Sequence, residues 1–241
     1  AQAQMLRTRR TRQIGVILPK LSSDSCPRMV EGIGSVLEES GYQLLLVNTA
    51  NDIKKELRAL DTLRQNTVDG IILIATVYTP EHKAVLEHLH VPVVVLSQNF
   101  PGCCSVYHDD AGAARAVTSH MLAKGRRAPG YIGVTLLDAA AGQQRRAGFE
   151  AALKAAGLPV RPQRMAVAKF STESGYEQAA RLLGSDPRID CLFCATDAIA
   201  LGAMQYCREA GIRIPEDVMI AAVGDSSVGR NTFVPLTSAH L

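Results

Sequence analysis

No apolar run in the 241 residues approaches the roughly 18 needed for a membrane-spanning helix, so that class is excluded. No apolar stretch of signal-peptide length with a cleavage site follows the basic start, and a cytoplasmic protein is expected. The six cysteines, Cys26, Cys103, Cys104, Cys191, Cys194 and Cys207, lack disulfide-framework spacing. Cys191-Leu-Phe-Cys194 lies in an apolar run that reads as a strand. Residues three apart on a strand point to opposite faces, which argues against shared metal or redox chemistry. There is no P-loop and no G-x-S-x-G. Gly32-Ile33-Gly34 sits inside a helical pattern and is no dinucleotide fingerprint. His82, His88 and His90 cluster, but His88 and His90 lie about 200° apart on a helical wheel. All three are expected to be exposed helix-end side chains. No constellation supports an enzyme, and neither metal nor cofactor is expected.

Acidic residues are missing from the first twelve positions, which hold Arg7, Arg9, Arg10 and Arg12. The net charge is +3, so the remaining residues sum to −1 and the basicity is local. A cationic arm on a near-neutral domain points to a nucleic-acid contact confined to the arm; a solvated tail is the plain alternative. The rest of the composition, 47% hydrophobic and 20% charged, is that of a globular protein.

What the chain has in abundance is alternation. Strand signals fall at Ile14–Leu18, Gln43–Val47, Gly70–Ile74, Val91–Leu96 and Ser105–Tyr107. Four more follow at Gly130–Val134, Arg164–Val167, Asp190–Cys194 and Val218–Val223. Most are continuous Val/Ile/Leu runs, as expected of parallel strands covered on both faces. Helical patterns lie between them: Pro27–Ser40, Lys54–Gln65, Pro80–Leu89, Asp110–Ala123, Gln143–Ala156, Thr172–Leu183 and Asp197–Ala210. Several stop at a glycine (Gly41, Gly125, Gly157, Gly211), as helices ending in a left-handed residue do. The repetition predicts an α/β fold of doubly wound parallel sheets. About nine strands are many for one twisted sheet, so two Rossmann-like lobes are expected, divided at the Lys124–Pro129 turn. Ligands of such sheets bind beyond the carboxyl ends of the strands, here in a cleft between lobes.

The segments RTRRTRQIGVILPKLSSDS, GYQLLLVNT, VDGIIL, VPVVVLSQNF, VYHDDAGAARAVTSHMLAKG, YIGV, GQQRRAGFEAAL, CLFCATDAIALGAMQYCREAGIRIPEDVMIAAVGD and PLTSAHL, in this order and spacing, resemble the LacI/GalR family of transcriptional repressors. The resemblance covers essentially the whole chain and within the family leans toward sucrose- and trehalose-type repressors. It implies a periplasmic sugar-binding-protein-like fold, a homodimer, and a sugar or sugar-phosphate effector that alters operator affinity. It divides the chain into residues 1–12, a hinge and linker to a helix-turn-helix domain absent here; 13–125, the N-terminal lobe; 126–236, the C-terminal lobe; and 237–241, the start of a return strand to the N-terminal lobe. The closing Pro235–Leu241 stretch reads as the beginning of a strand with no helix after it to cover it, so the natural chain is expected to continue. Leu6, Arg7 and Arg9 would contact DNA, with Leu6 the apolar wedge in the minor groove.

The same resemblance puts Arg145, in QRRAGF, on sugar hydroxyls or an anion; its five fixed donors suit both. Asp110 matches an acidic cleft residue, and helix N-capping alone would also explain it. The family's Asn-Asp is Thr196-Asp197 here, and its sugar-binding Asp falls at Ser226, next to Asp225. Loss of that carboxylate suits an anionic effector. Lys20, Ser22 and Ser25, in the loop after the first strand, and Asn48, Thr76, Gln98 and Phe170, at or after other strand ends, complete the candidates. Lys20 is placed to meet a phosphate and Phe170 to stack on a sugar face. Two other classes compete: a secreted sugar-binding protein of a transporter, which would share the fold, and an α/β enzyme acting on sugars.

Overall fold

A computed structural model describes residues 10–66 and 68–241. Leu6, Arg7 and Arg9, the expected DNA contacts, lie outside the described residues. The chain divides into two compact units, with the break between Tyr107 and His108.

The N-terminal unit holds a five-stranded sheet in the order β2-β1-β3-β4-β5, all parallel. Its strands are β1 (Gln13–Leu18), β2 (Gln43–Asn48), β3 (Gly70–Ile74), β4 (Val93–Leu96) and β5 (Cys104–Val106). The connecting helices are α1 (Ser25–Glu39), α2 (Ile53–Gln65) and α3 (Pro80–Glu87). The pleat sorts β1 by parity. Val16 and Leu18 pack with Cys26 and Ile74 on one face, and Ile17 packs with Leu60, Leu63 and Leu73 on the other. This two-sided burial is why β1 reads as an unbroken apolar run. The helix starts carry their caps: Asp52 accepts the Lys54 and Lys55 amides, and Thr79 caps α3 with Pro80 behind it.

The C-terminal unit repeats the plan with the order β10-β9-β8-β6-β7, again all parallel. Its strands are β6 (Pro129–Gly133), β7 (Met165–Val167), β8 (Cys191–Cys194), β9 (Met219–Val223) and β10 (Thr237–Ala239). Its helices are α4 (Asp110–Ala123), α5 (Arg145–Ala155), α6 (Thr172–Ser185), α7 (Asp197–Glu209) and the short α8 (Ser227–Arg230). Cys191 and Phe193 face a core with Tyr131 and Phe149. Cys194 faces the opposite core with Leu182 and Ile199, so the two thiols sit on opposite faces as the period-2 pattern required. Burial raises both thiols well above the ordinary range.

Three expectations need correction. The division was read at Lys124–Pro129, but α4 belongs to the C-terminal unit and packs along α5. The Lys-Gly-Arg-Arg-Ala-Pro turn ends a helix; it does not end a domain. The strand at 237–241, expected to return to the N-terminal lobe, instead pairs with β9, Ser238 opposite Ala222. His82, expected to be exposed like His88, is fully buried.

Candidate functional site

All strands of the C-terminal unit run the same way, so the loops after them share one rim. Arg145 reaches this rim through a local irregularity. Asp138 caps a turn of π-helix (Ala139–Gln144) by accepting the Ala141 amide at 2.9 Å, and α5 begins directly afterwards. Single π turns of this kind recur at functional sites. Two glycines allow the approach. A side chain on Gly142 would strike the Thr135 carbonyl, and one on Gly148 would strike the Ala111 carbonyl of α4. With Gly148 in place, α5 lies directly on α4, and the first turns of the two helices meet.

There, Arg145 Nε donates to Asp110 Oδ1 at 2.7 Å, and its Nη1 donates to the Ala195 carbonyl at 2.5 Å. Arg145 is 8% exposed and Asp110 4%. The guanidinium thus ties the start of α4, the start of α5 and the end of β8. Two of its five N–H donors are used within the described residues, so one on Nη1 and both on Nη2 remain for a ligand. Asp110 is not the helix cap: Asp109 accepts the Gly112 amide and serves that role. The capping explanation for Asp110 therefore falls away, and its carboxylate answers the buried guanidinium.

Asp197 does different work. Its Oδ2 accepts the Ser226 amide at 2.5 Å and its Oδ1 accepts the Ser238 hydroxyl at 2.6 Å. This carboxylate joins α7 to the loop after β9 and to β10. Thr196 caps α7 through the Ile199 amide, and Ser226 caps α8 through the Gly229 amide. Asp225 sits at φ +51°, a left-handed conformation that Asp tolerates better than most residues. It is held by Arg230 (2.7 Å to Nε) and by His240 Nδ1 (2.9 Å). The Arg230 guanidinium, with His240 behind it, holds the Asp225 carboxyl below its ordinary range. Phe170, after β7, is exposed. The structure therefore brings Asp110 to Arg145 and Asp197 to Ser226, while Asp225 is paired elsewhere.

The N-terminal candidates lie at the carboxyl end of their own sheet. Lys20 follows β1 and is half-buried; Ser22 and Ser25 are exposed. Ser23, not Asp24, caps the start of α1, its hydroxyl accepting the Cys26 amide at 3.2 Å. Asn48 ends β2 and accepts the Ala50 amide at 3.3 Å. Thr76 follows β3 half-buried, and Gln98 follows β4 at 4% exposure.

Sequence reasoning missed four rim groups: Asp138, the Ala195 carbonyl, Ser238 and Arg230. A Thr-Leu-Leu-Asp run directly after a strand was an available signal for Asp138. The Ala195 carbonyl is backbone and leaves none. No group of His, Cys, Asp and Glu among the described residues is arranged to hold a metal ion. No described helix is long and apolar enough to cross a membrane.

Residues 11–229 match the model of the family described as periplasmic binding proteins and sugar binding domain of the LacI family. The chain is 31% identical over 223 residues to the sucrose operon repressor of Staphylococcus xylosus, covering 92% of this chain and 69% of that protein. It is 32% identical over 245 residues to the transcriptional repressor PurR of Haemophilus influenzae, covering 100% and 72%. The solved structure of the transcription regulator CcpA of Lactococcus lactis superposes with a TM-score of 0.89 at 26% identity, over 96% of this chain and 85% of that one. Identity does not separate the sucrose-type relative from the purine-type one.

Proposed function

The chain belongs to the LacI family of periplasmic-binding-protein-like domains, and on that premise we propose that it is the ligand-binding and dimerisation region of a sugar-responsive transcriptional repressor. A sugar or sugar-phosphate effector binds it and alters its affinity for operator DNA. DNA is gripped through a helix-turn-helix domain outside these residues, and the protein works in the cytoplasm as a homodimer. The reported relatives are repressors and regulators by name, which favours a regulator over an enzyme and over a transporter component.

The observation that carries this reading is the buried Arg145–Asp110 pair on the rim, with Nη2 left over. A buried guanidinium is costly unless paired, and here the pairing uses only part of the fork. The free N–H on Nη1 and those on Nη2 form one edge of the fork, with two nitrogens a fixed distance apart, and suit vicinal hydroxyls or two oxygens of a phosphate. Asp110 Oδ2 adds an acceptor for a hydroxyl. Asp197 and Ser226 act one step back from the ligand. Their bonds set the loops after β8 and β9, and so place Thr196 and Asp225. Lys20 supplies a positive charge on the N-terminal unit's own rim, which favours an anionic effector. An effector moves operator affinity only by its differential affinity for two arrangements of the protein.

A thermal-shift screen against mono- and disaccharides and their phosphates tests the reading. A binder at 100 times its Kd adds about 2.7 kcal/mol of stability. A panel in which nothing raises the melting temperature, with operator affinity of the whole protein equally unmoved, contradicts it.

A further inference from the structure

One buried titratable pair has no part in the site described so far. Glu56, in the first turn of α2, and His82, in the first turn of α3, are 4% and 0% exposed, with Oε1 and Nε2 2.7 Å apart. The two residues are 26 apart in sequence, and no other charged group of a described residue lies within hydrogen-bond reach of the ring. The other ring nitrogen indicates the tautomer. The Thr79 amide approaches His82 Nδ1 at 3.2 Å, and an amide can only donate. The Thr79 hydroxyl lies nearer to Nδ1, at 2.9 Å, and a hydroxyl can donate or accept; the assignment that suits the amide has Nδ1 accepting and Nε2–H donating to Glu56. In return the His82 amide donates to the Thr79 hydroxyl at 3.4 Å, which completes a reciprocal cap in which histidine stands where Glu or Gln is usual.

Two loops and the first turn of α2 meet at this ring. Asn48 ends β2, and the short Thr49–Asp52 loop leads into α2 and Glu56. Thr76 precedes Tyr78 and Thr79 in the loop into α3. Gln98 precedes Phe100, which is buried and set edge-on to His82 with centroids 5.9 Å apart, while Tyr78 lies 4.6 Å from Phe100. Thr76 and Gln98 lie two or three residues from groups that touch His82, and Asn48 lies eight residues before Glu56 across the loop into α2.

We propose that Glu56 and His82 are positioning residues for the effector rim of the N-terminal unit. The pair locks the Nε2–H form of His82, and that single tautomer holds the loops bearing Asn48, Thr76 and Gln98 in one arrangement before any ligand arrives. A preformed rim spares the ordering cost that a ligand would otherwise meet. The proposal rests on reading that rim as ligand-facing, and its test uses no effector, so the two fail separately.

The test is nuclear magnetic resonance on the full chain, in wild type, Glu56→Gln and Glu56→Ala. Ring nitrogen shifts of wild type report the Nε2–H tautomer, with Nδ1 unprotonated. Glu56→Gln keeps an acceptor for Nε2–H, and it leaves both the tautomer and the amide protection of Thr79, Phe100 and Cys103 as in wild type. Glu56→Ala removes the acceptor and speeds exchange at those three amides tenfold or more, while Ile17 and Leu73 in the sheet centre stay as they were. An Nδ1–H tautomer in wild type overturns the proposal, and needs no variant. So does a Glu56→Gln chain that exchanges like Glu56→Ala, a rise spread evenly over the unit, or no change at all. If Glu56→Ala does not fold, the wild-type tautomer and the Glu56→Gln protection decide alone.

Discussion

Replacing Asp110 with alanine isolates the energetics of the rim. The carboxylate is buried and accepts from a guanidinium that is itself 8% exposed. In Asp110→Ala the guanidinium keeps the Ala195 carbonyl but loses its counter-charge. Removing one partner of a buried pair costs about 3–5 kcal/mol, mostly from the charge left behind. The C-terminal unit spans 134 residues. At about 2.1 cal/mol/K per residue its unfolding entropy is about 0.28 kcal/mol/K, so the loss lowers its melting temperature by about 11–18 °C. The double variant Asp110→Asn/Arg145→Met removes both charges at similar volume, and it recovers most of that stability because no ion remains unpaired. Calorimetry of the three chains reads both numbers. An Asp110→Ala variant that melts within about 3 °C of wild type, or a double variant that melts lower still, refutes the idea that the pair is a buried, mutually dependent charge couple.

Other expectations concern titration and packing. Asp217 accepts from the Arg213 guanidinium and amide, and these hold its carboxyl down at about 2. A depressed carboxyl stabilises the fold above its unfolded value near 4, and that stability is lost as pH falls toward 2. Urea midpoints of wild type and Asp217→Asn should therefore converge between pH 4 and pH 2. Cys207 is pushed up to about 11 by burial, so its contribution is whole below about pH 8.5 and lost as pH rises through 11. In native protein at pH 8, a thiol reagent should modify Cys104 quickly and Cys103 more slowly. It should reach Cys191, Cys194 and Cys207 only after denaturation. Gly148→Leu drives a side chain into the Ala111 carbonyl; separating α5 from α4 should cost about 1–3 kcal/mol or more and weaken ligand binding with it.

The strands were legible because parallel sheets bury both faces. VVVL, CLFC and MIAAV have no polar face to hide. The unit boundary was not. The crossing at Tyr107-His108-Asp109 holds neither Gly nor Pro, while the conspicuous Lys-Gly-Arg-Arg-Ala-Pro turn lies inside the second unit. Arg145 and Asp110 were visible as residue types in a family pattern, but what joins them is Gly148 and a backbone carbonyl, neither of which announces a charge pair. The π turn before Arg145 escaped notice because its residues, Ala-Ala-Ala-Gly-Gln-Gln, have no apolar period to read. His82 was misplaced for a related reason. A helical wheel treats one helix at a time, and the group that buries His82 stands on another helix. The bond between the Ser226 amide and Asp197 joins loops after two different strands, and no local pattern announces it.

The most direct measurement is titration calorimetry of a sugar or sugar phosphate drawn from the thermal screen, against wild type and against the Asp110→Asn/Arg145→Met chain. Loss of the fork should weaken binding at least 100-fold, about 2.7 kcal/mol. Equal affinity in the two chains would remove the Arg145–Asp110 pair from the binding site and, with it, the observation on which the effector reading rests.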